Sequence, residues 1–408
     1  MDAATCVLAK FGEIALKGRN HRWFENTLIR NMRHAIGVRR VDIRRRGGFL
    51  IVSTPHLESA ELTHRLRQVM GLTVVQPAVR VPFTADAAAE AAVGLLRDHP
   101  GPSPTFAVRV RRRGKSFPLT SDQLAAHIGA RICREFGWTV DLRAPELAVV
   151  VEVDPTEIFV SVDRLPGQGG LPVGCTGRAL VLLSGGYDSP VAAYRSMRRG
   201  LQCDYVHFTG APYTDPASTY KAYALAYRLS RYQPRARLHI VPVGRGQKAL
   251  ATSGSGPMQT IAQRRLYLRV AQRLARRHDN QVLVTGDSLG QVASQTLANL
   301  AATDGACDLL VLRPLIGWDK QEIIAEARRI DTFDISALPD EDCCRLFTPP
   351  EVTTRAVPTE LAEVEARADI DALVEDALAQ AYSIVVNPGS AAADGLLQDA
   401  AQQRVHPL

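Results

Sequence analysis

Short apolar runs alternate with stretches of helical spacing along most of the chain, and the pattern divides into three regions and a tail. In residues 1–80 the spacing predicts a strand at 6–9, a helix from about 22 to 36, strands at 41–44 and 49–53, a helix over 56–70 and a closing strand at 73–79. That β-α-β-β-α-β order predicts a small ferredoxin-like sandwich. Residues 81–165 begin again with an alanine-rich helix at 85–96. A strand at 105–111 then alternates apolar and basic residues, so one face packs inward and the other presents arginines. A helix at 121–136 and strands near 147–153 and 157–162 complete this second unit. Residues 166–178 are rich in glycine and proline and read as a linker.

From 179 to 350 the pattern changes. Apolar strands at 179–183, 203–208, 238–243, 281–285 and 309–312 alternate with helices, which predicts a parallel α/β sheet. Ligands bind such sheets beyond the carboxyl ends of the strands. Three polar groups stand there. The loop Ser184-Gly185-Gly186-Tyr187-Asp188-Ser189 follows the first strand, and His207 and Phe208 end the second. The run Gly286-Asp287-Ser288-Leu289-Gly290-Gln291-Val292-Ala293-Ser294-Gln295 follows the fourth. Residues 351–408 read as a C-terminal tail.

The first loop carries the most chemistry. A strand delivers a glycine-rich turn onto a helix N-terminus, where Asp188 or Ser189 is placed to cap and Pro190 suits the first turn. Backbone N–H groups and the positive end of the helix dipole then converge on one anion. Gly185 and Gly186 let the backbone approach phosphates closely. Ser184 and Ser189 add hydroxyl donors, and Asp188 can hold a magnesium ion. Neither the Walker pattern nor G-x-G-x-x-G after a strand is present. The pattern S-G-G-x-D-S resembles the pyrophosphate loop of the ATP pyrophosphatases, which split ATP between its α and β phosphates and adenylate a substrate.

Composition and charge change this picture at three points. The chain of 408 residues is 46% hydrophobic and 22% charged, enough for ordinary cores in two or three domains. Its net charge of +7 is modest but clustered: Arg39, Arg40, Arg44, Arg45 and Arg46 form one group, and Arg109, Arg111, Arg112, Arg113 and Lys115 another. Both precede the pyrophosphate loop, and a nucleic acid is the expected partner. Lys17 and Arg19, in a glycine-flanked opening loop, add cations suited to a phosphate backbone. No apolar run approaches a membrane span and the N-terminus lacks the pattern of a signal peptide, so a cytoplasmic protein without a membrane partner is expected. Its seven cysteines then read as free thiols, and none is spaced C-x-x-C. Cys343 and Cys344 lie side by side in an acidic, proline-bounded segment, which suits thiol or persulfide chemistry as well as an incidental buried thiol.

Together, these loops, the Asp342-Cys343-Cys344 segment, the Gly12-Glu13-Ile14 opening and Arg313-Pro314-Leu315-Ile316 resemble the tRNA 4-thiouridine synthetase (ThiI, tRNA sulfurtransferase) family. The match runs over essentially the whole chain and to the family's short form, without a rhodanese domain. The resemblance implies a ferredoxin-like domain, a tRNA-binding THUMP domain at 81–165 and a parallel-sheet ATP-pyrophosphatase (PP-loop, adenine nucleotide α-hydrolase-like) domain at 179–350. It implies ATP- and Mg2+-dependent insertion of sulfur at uridine 8 of tRNA, with a cysteine desulfurase as donor. Nucleotide contacts are implied at Leu182, Leu183, Ser184, Gly185, Gly186, His207, Phe208, Arg264, Gly286 and Gln295, with Asp188 and Ser189 in the catalytic loop. Cys343 matches the sulfur carrier, and Cys344 or Cys203 is the expected resolving thiol. Sulfur transfer in thiamine (thiazole) biosynthesis and a non-catalytic tRNA-binding protein are the alternatives. Ferredoxin-like domains often pair, so a homodimer stays open.

Overall fold

A computed structural model describes residues 4–97, 104–114, 116–339 and 346–387. They fall into two compact units, Met1–Gly170 and Leu171–Leu408.

The first unit runs β1 (Ala4–Phe11), α1 (His21–Ile36), β2 (Asp42–Arg46), β3 (Phe49–Ser53), α2 (Ser59–Arg67) and β4 (Leu72–Val81). It continues with α3 (Ala85–Arg97), β5 (Phe106–Arg112), α4 (Ser121–Phe136), β6 (Leu147–Val153), β7 (Ile158–Ser161) and β8 (Leu165–Pro166). Helix α1 buries Leu28, Ile29, Met32 and Ile36, one apolar stripe, and stops where Gly37 takes a left-handed conformation. Helix α4 starts at a capping box, Thr120 with Gln123. The expected sandwich and the unit that follows it share one sheet, β2-β3-β1-β4-β7-β6-β5, with β8 added on β4. Strand β4 pairs with β1 on one side and β7 on the other, so the expected division at 80/81 falls on a shared strand. Three apolar clusters lie on the sheet, one built with α1 and α2, one with α3 and α4, and a smaller one around Phe49 and Phe159. The start of the expected linker is also ordered: Pro166 and Leu165 pair with Val74 and Val75.

The second unit holds β9 (Arg178–Leu182), α5 (Asp188–Arg198), β10 (Gln202–Thr209), α6 (Ala217–Leu229), β11 (Ala236–Pro242), α7 (Gly244–Thr252) and α8 (Gln259–Arg277). It goes on through β12 (Val282–Val284), α9 (Leu297–Asp304), β13 (Val311–Leu312), α10 (Lys320–Arg329) and α11 (Phe333–Ala337). The sheet order is β13-β12-β9-β10-β11-β14, parallel except for its last strand. That strand belongs to the segment expected as a tail. Residues beyond 351 instead form α12 (Pro358–Arg367), α13 (Ile370–Ala379) and β14 (Tyr382–Val386). Leu361, Val364, Val374, Ala377 and Leu378 enter the same core as α8. Glu365 is buried and takes a bidentate ion pair from Arg265, at 2.6 and 2.9 Å, and a third bond from Arg269 at 2.9 Å. Burial works to raise the Glu365 carboxyl, but the two arginines hold it below its usual range.

Where β14 meets β11, His239 pairs with Ser383, and their side chains lie 2.7 Å apart. The His239 ring is fully buried and stacks on His278 at 4.5 Å. Burial, then the charge of His278, push His239 down from 6.5 to about 4. Above pH 6.5 the ring is neutral in both folded and unfolded chains. Between 6.5 and about 4 only the unfolded chain takes up the proton, so stability should fall with pH across that window. The full loss is on the order of 3 kcal/mol. Thermal unfolding of the wild type and His239→Asn between pH 4 and 7 checks this: the variant should be less stable at pH 7 but should have a flatter pH slope. Equal slopes would assign the effect to other groups.

Candidate active site

The carboxyl end of β9 opens into the loop 184–189, and α5 begins at Asp188. Tyr187 occupies the N-cap position with no side-chain cap, so neither Asp188 nor Ser189 caps as the sequence suggests. The Ser189 hydroxyl turns back into the loop. It accepts the Ser184 N–H at 2.9 Å and lies 3.0 Å from the Ser184 hydroxyl, which accepts the Gly186 N–H at 3.3 Å. The two serines thus brace the turn that Gly185 and Gly186 make. His207, on β10, secures its near end. Its Nδ1 lies 2.9 Å from the Leu183 carbonyl, which can only accept, so the proton sits on Nδ1. Its Nε2 faces the Ser218 hydroxyl at 3.2 Å. Phe208 stacks nearly parallel on Tyr267, with centroids 4.6 Å apart.

The loop after β12 packs directly on the start of α5. A Cβ on Gly286 would stand 2.7 Å from the Ser189 backbone nitrogen, so only glycine fits. The next residue, Asp287, is buried and receives Arg264, Arg313, Thr285 and Gln295. Burial would raise its carboxyl, but the adjoining Arg264 guanidinium, its hydrogen bonds and Arg313 hold it below the usual range. Asp188 is partly exposed; Lys320 Nζ donates to one oxygen at 2.7 Å and Gln291 Nε2 to the other at 3.1 Å. Lys221, on α6, donates to the Leu338 carbonyl at 2.6 Å.

These groups surround one cleft of about 660 Å³ at the carboxyl ends of β9, β10 and β12. Leu182, Leu183, Ser184, Gly185, Gly186, Asp188, Ser189, His207, Phe208, Arg264, Gly286 and Gln295 all line it. So do Lys221, Asp287, Gln291 and Arg313, which were not singled out as site residues from the sequence. Asp287 and Gln291 belong to the run after the fourth strand and Arg313 to Arg313-Pro314-Leu315-Ile316; Lys320 and Lys221 carry no local signal. Among the described residues no three His, Cys, Asp or Glu side chains form a metal cage. A single carboxylate such as Asp188 suits magnesium, which keeps mostly water and phosphate ligands.

Cys343 and Cys344 lie outside the described residues. Cys203 does not suit the resolving role. It sits at the amino end of β10, away from the cleft, fully buried, with its backbone N–H and C=O both held by Gln233. Burial pushes its thiol far above the ordinary range.

In the first unit, Arg46, Arg111, Arg112 and Arg113 line one open cleft of about 640 Å³, where the two basic clusters meet. Their roles differ. Arg109 and Arg111 alternate on the exposed face of β5. Arg112 donates to the Leu119 carbonyl at 2.6 Å, and Arg46 pairs with Asp154 at 2.6 Å. Arg113 lies over the Phe49 ring at 4.4 Å, bonds the Gly47 carbonyl and pairs with Glu152 at 3.2 Å. Arg19 is exposed, and Lys17 sits 5.4 Å over the Phe24 ring. Lys115 lies outside the described residues.

Three family models match the chain: the ThiI ferredoxin-like domain at 6–75, the THUMP domain at 84–163, and "Thiamine biosynthesis protein (ThiI)" at 174–370. A probable tRNA sulfurtransferase of Nocardia farcinica is 68% identical over 389 residues, 94% of both chains. A probable tRNA sulfurtransferase of Thermus thermophilus is 42% identical over 90% of both chains. The crystal structure of a 4-thiouridine synthetase–RNA complex with bound ATP superposes with a TM-score of 0.86 at 30% identity, covering 94% of this chain and all of that one.

The tight seat of Gly286 has a measurable consequence. Gly286→Ala must push the Ser189 backbone aside, an overpacking cost of about 1–3 kcal/mol. Chemical denaturation should show that loss. A variant as stable as the wild type would mean that the two loops part without cost.

Proposed function

The chain belongs to the ThiI family of tRNA sulfurtransferases, and from that premise we propose that it uses ATP to adenylate uridine 8 of tRNA and replaces O4 with sulfur, giving 4-thiouridine. The observation that carries this reading is that every nucleotide residue expected from the sequence lines one cleft beyond the strand ends.

The C4 carbonyl of uracil offers no leaving group. Attack of O4 on the α-phosphate of ATP expels pyrophosphate and turns that oxygen into part of an AMP leaving group. The loop 184–189 and the N-terminus of α5 supply backbone N–H groups and a positive dipole end for the phosphates. Arg264 and Lys320 add charge beside them. Asp188, together with phosphate oxygens, would hold a magnesium ion, which neutralises charge on the leaving group. The terminal sulfur of a Cys343 persulfide, loaded by a cysteine desulfurase, then bonds to C4 as AMP leaves. A second thiol attacks the Cys343 sulfur, a disulfide forms, and the transferred sulfur stays on the base. With Cys203 buried at the amino end of β10, Cys344 is the proposed second thiol. The basic cleft of the first unit takes tRNA phosphates, with Arg111 as its solvent-facing cation and Arg109 exposed on the same face of β5.

Incubation with ATP, tRNA, cysteine and a desulfurase, followed by nucleoside mass spectrometry, tests the whole reading. Asp188→Ala should lose pyrophosphate release while tRNA affinity stays nearly intact. Cys343→Ser should lose 4-thiouridine while AMP formation persists. Pyrophosphate release by the Asp188 variant at the wild-type rate would sink the loop assignment.

The arginines of the basic cleft should split. Arg111→Ala should flatten the salt dependence of tRNA binding by roughly 0.7–0.9 of a log–log slope unit for each phosphate no longer neutralised, with no change in melting temperature. Arg113→Ala should also lower stability, by about 1–3 kcal/mol, because it leaves Glu152 buried without this partner. Unchanged salt slopes in both variants would remove the cleft from the tRNA interface.

A further inference from the structure

Asp287 immediately follows Gly286, so it stands in a loop that touches the phosphate-binding turn. Its position invites two readings. An acid there could hold a metal beside Asp188, or it could hold the cations that meet the nucleotide.

The hydrogen bonds separate them. Asp287 is 3% exposed. Its Oδ1 accepts Arg264 Nη2 at 2.7 Å and Gln295 Nε2 at 3.3 Å. Its Oδ2 accepts the Thr285 hydroxyl at 2.7 Å and Arg313 Nε at 3.1 Å. A carboxylate offers about four lone-pair directions, and four donors take them, so none is left for a metal. Asp188 differs: its side chain is 23% exposed and it receives two donors.

The two arginines are held differently. Arg313 is fixed at both ends, since Asp304 takes its Nη1 and Nη2 at 2.9 and 2.5 Å. Arg264 lines the cleft, and its bond to Asp287 is its one anchor among the described residues. Its Nε is buried without a partner among them. Without the shared carboxylate the two guanidiniums would repel each other, and Arg264 would be free to swing.

We propose that Asp287 is a positioning residue that aims Arg264 at the nucleotide, with Arg313 and Asp304 as its brace. This rests on reading the cleft as an ATP site.

A double-mutant cycle on the full chain tests it. MgATP affinity is measured for the wild type, Asp287→Asn, Arg264→Ala and the double variant, with melting temperatures and the magnesium dependence of pyrophosphate release. Asp287→Asn should weaken ATP about tenfold or more, the scale of a lost charged hydrogen bond. In the Arg264→Ala background the same change should cost less than about twofold, and half-saturation by magnesium should not move. A full penalty in both backgrounds, tighter ATP binding, or a severalfold rise in the magnesium requirement would overturn the inference. If Asp287→Asn does not fold, Asp304→Asn reads the brace instead. It should weaken ATP severalfold only where Arg264 is present, and equal effects in both backgrounds would again overturn it. A wild type that binds no ATP overturns the functional reading and this inference with it; additive penalties in a wild type that binds ATP overturn this inference alone.

Discussion

The site depends on one backbone contact, that of Gly286 against the first turn of α5. It exists because β9 runs between β10 and β12 in parallel, with Leu180 opposite Leu283 and Val181 opposite Val284. The strands are apolar and buried, as a doubly covered parallel sheet requires. Parallel neighbours in register release their following loops on the same side and at the same level. Two loops about 100 residues apart in sequence then meet main chain to main chain. With no side chain at 286, nothing separates them, and the residues that follow Gly286 are carried to the edge of the glycine-rich turn.

That contact also decides the fate of two carboxylates. Asp188 begins a helix at the open side, where Lys320 and Gln291 reach it and solvent still does. Asp287 lies one residue beyond the contact, where burial would penalise its charge by several kcal/mol if it stood alone. It is charged because Arg264 and Arg313 arrive from α8 and from the segment after β13. A cleft proposed for a nucleotide can therefore hold an acid in its wall without repelling that ligand, since the acid is already spent on the cations.

Much of this was legible in the sequence. The loop 184–189, His207 and the run from Gly286 to Gln295 each end a strand, and strand ends in a parallel sheet converge by topology alone. Local chemistry was harder to read. A cap at Asp188 or Ser189 fits the residue types, yet the Ser189 hydroxyl is taken by the Ser184 N–H, a bond visible only once the turn is closed. Lys221, which lines the cleft, and Lys320, which bonds Asp188, come from helices with no motif of their own. The segment after 351 carries no motif that marks it as part of the domain, although Leu361 with Val364 and Val374 with Ala377 and Leu378 carry helical spacing. The shared sheet of the first unit was hidden for another reason: β4 reads as the last strand of one sandwich, and pairing on its second edge leaves no mark on its own residues.

Charge counting illustrates the same limit in the basic clusters. Ten cations in two runs suggest a uniform positive surface, but four of the nine described are tied to carboxylates. Arg44 pairs with Asp42, Arg45 with Glu25, Arg46 with Asp154 and Glu157, and Arg113 with Glu152. A cation already facing a carboxylate contributes little to displacing counterions from a phosphate backbone. The sheet uses its arginines to tie β2 and the turn after it to the β6–β7 hairpin, across strands distant in sequence. What remains for a polyanion is narrower: Arg39 and Arg40, both exposed, Arg109 and Arg111 on the exposed face of β5, and the shape of the cleft that the paired arginines line. In such a surface the paired cations set where a phosphate can approach, and the unpaired ones set how strongly salt competes with it.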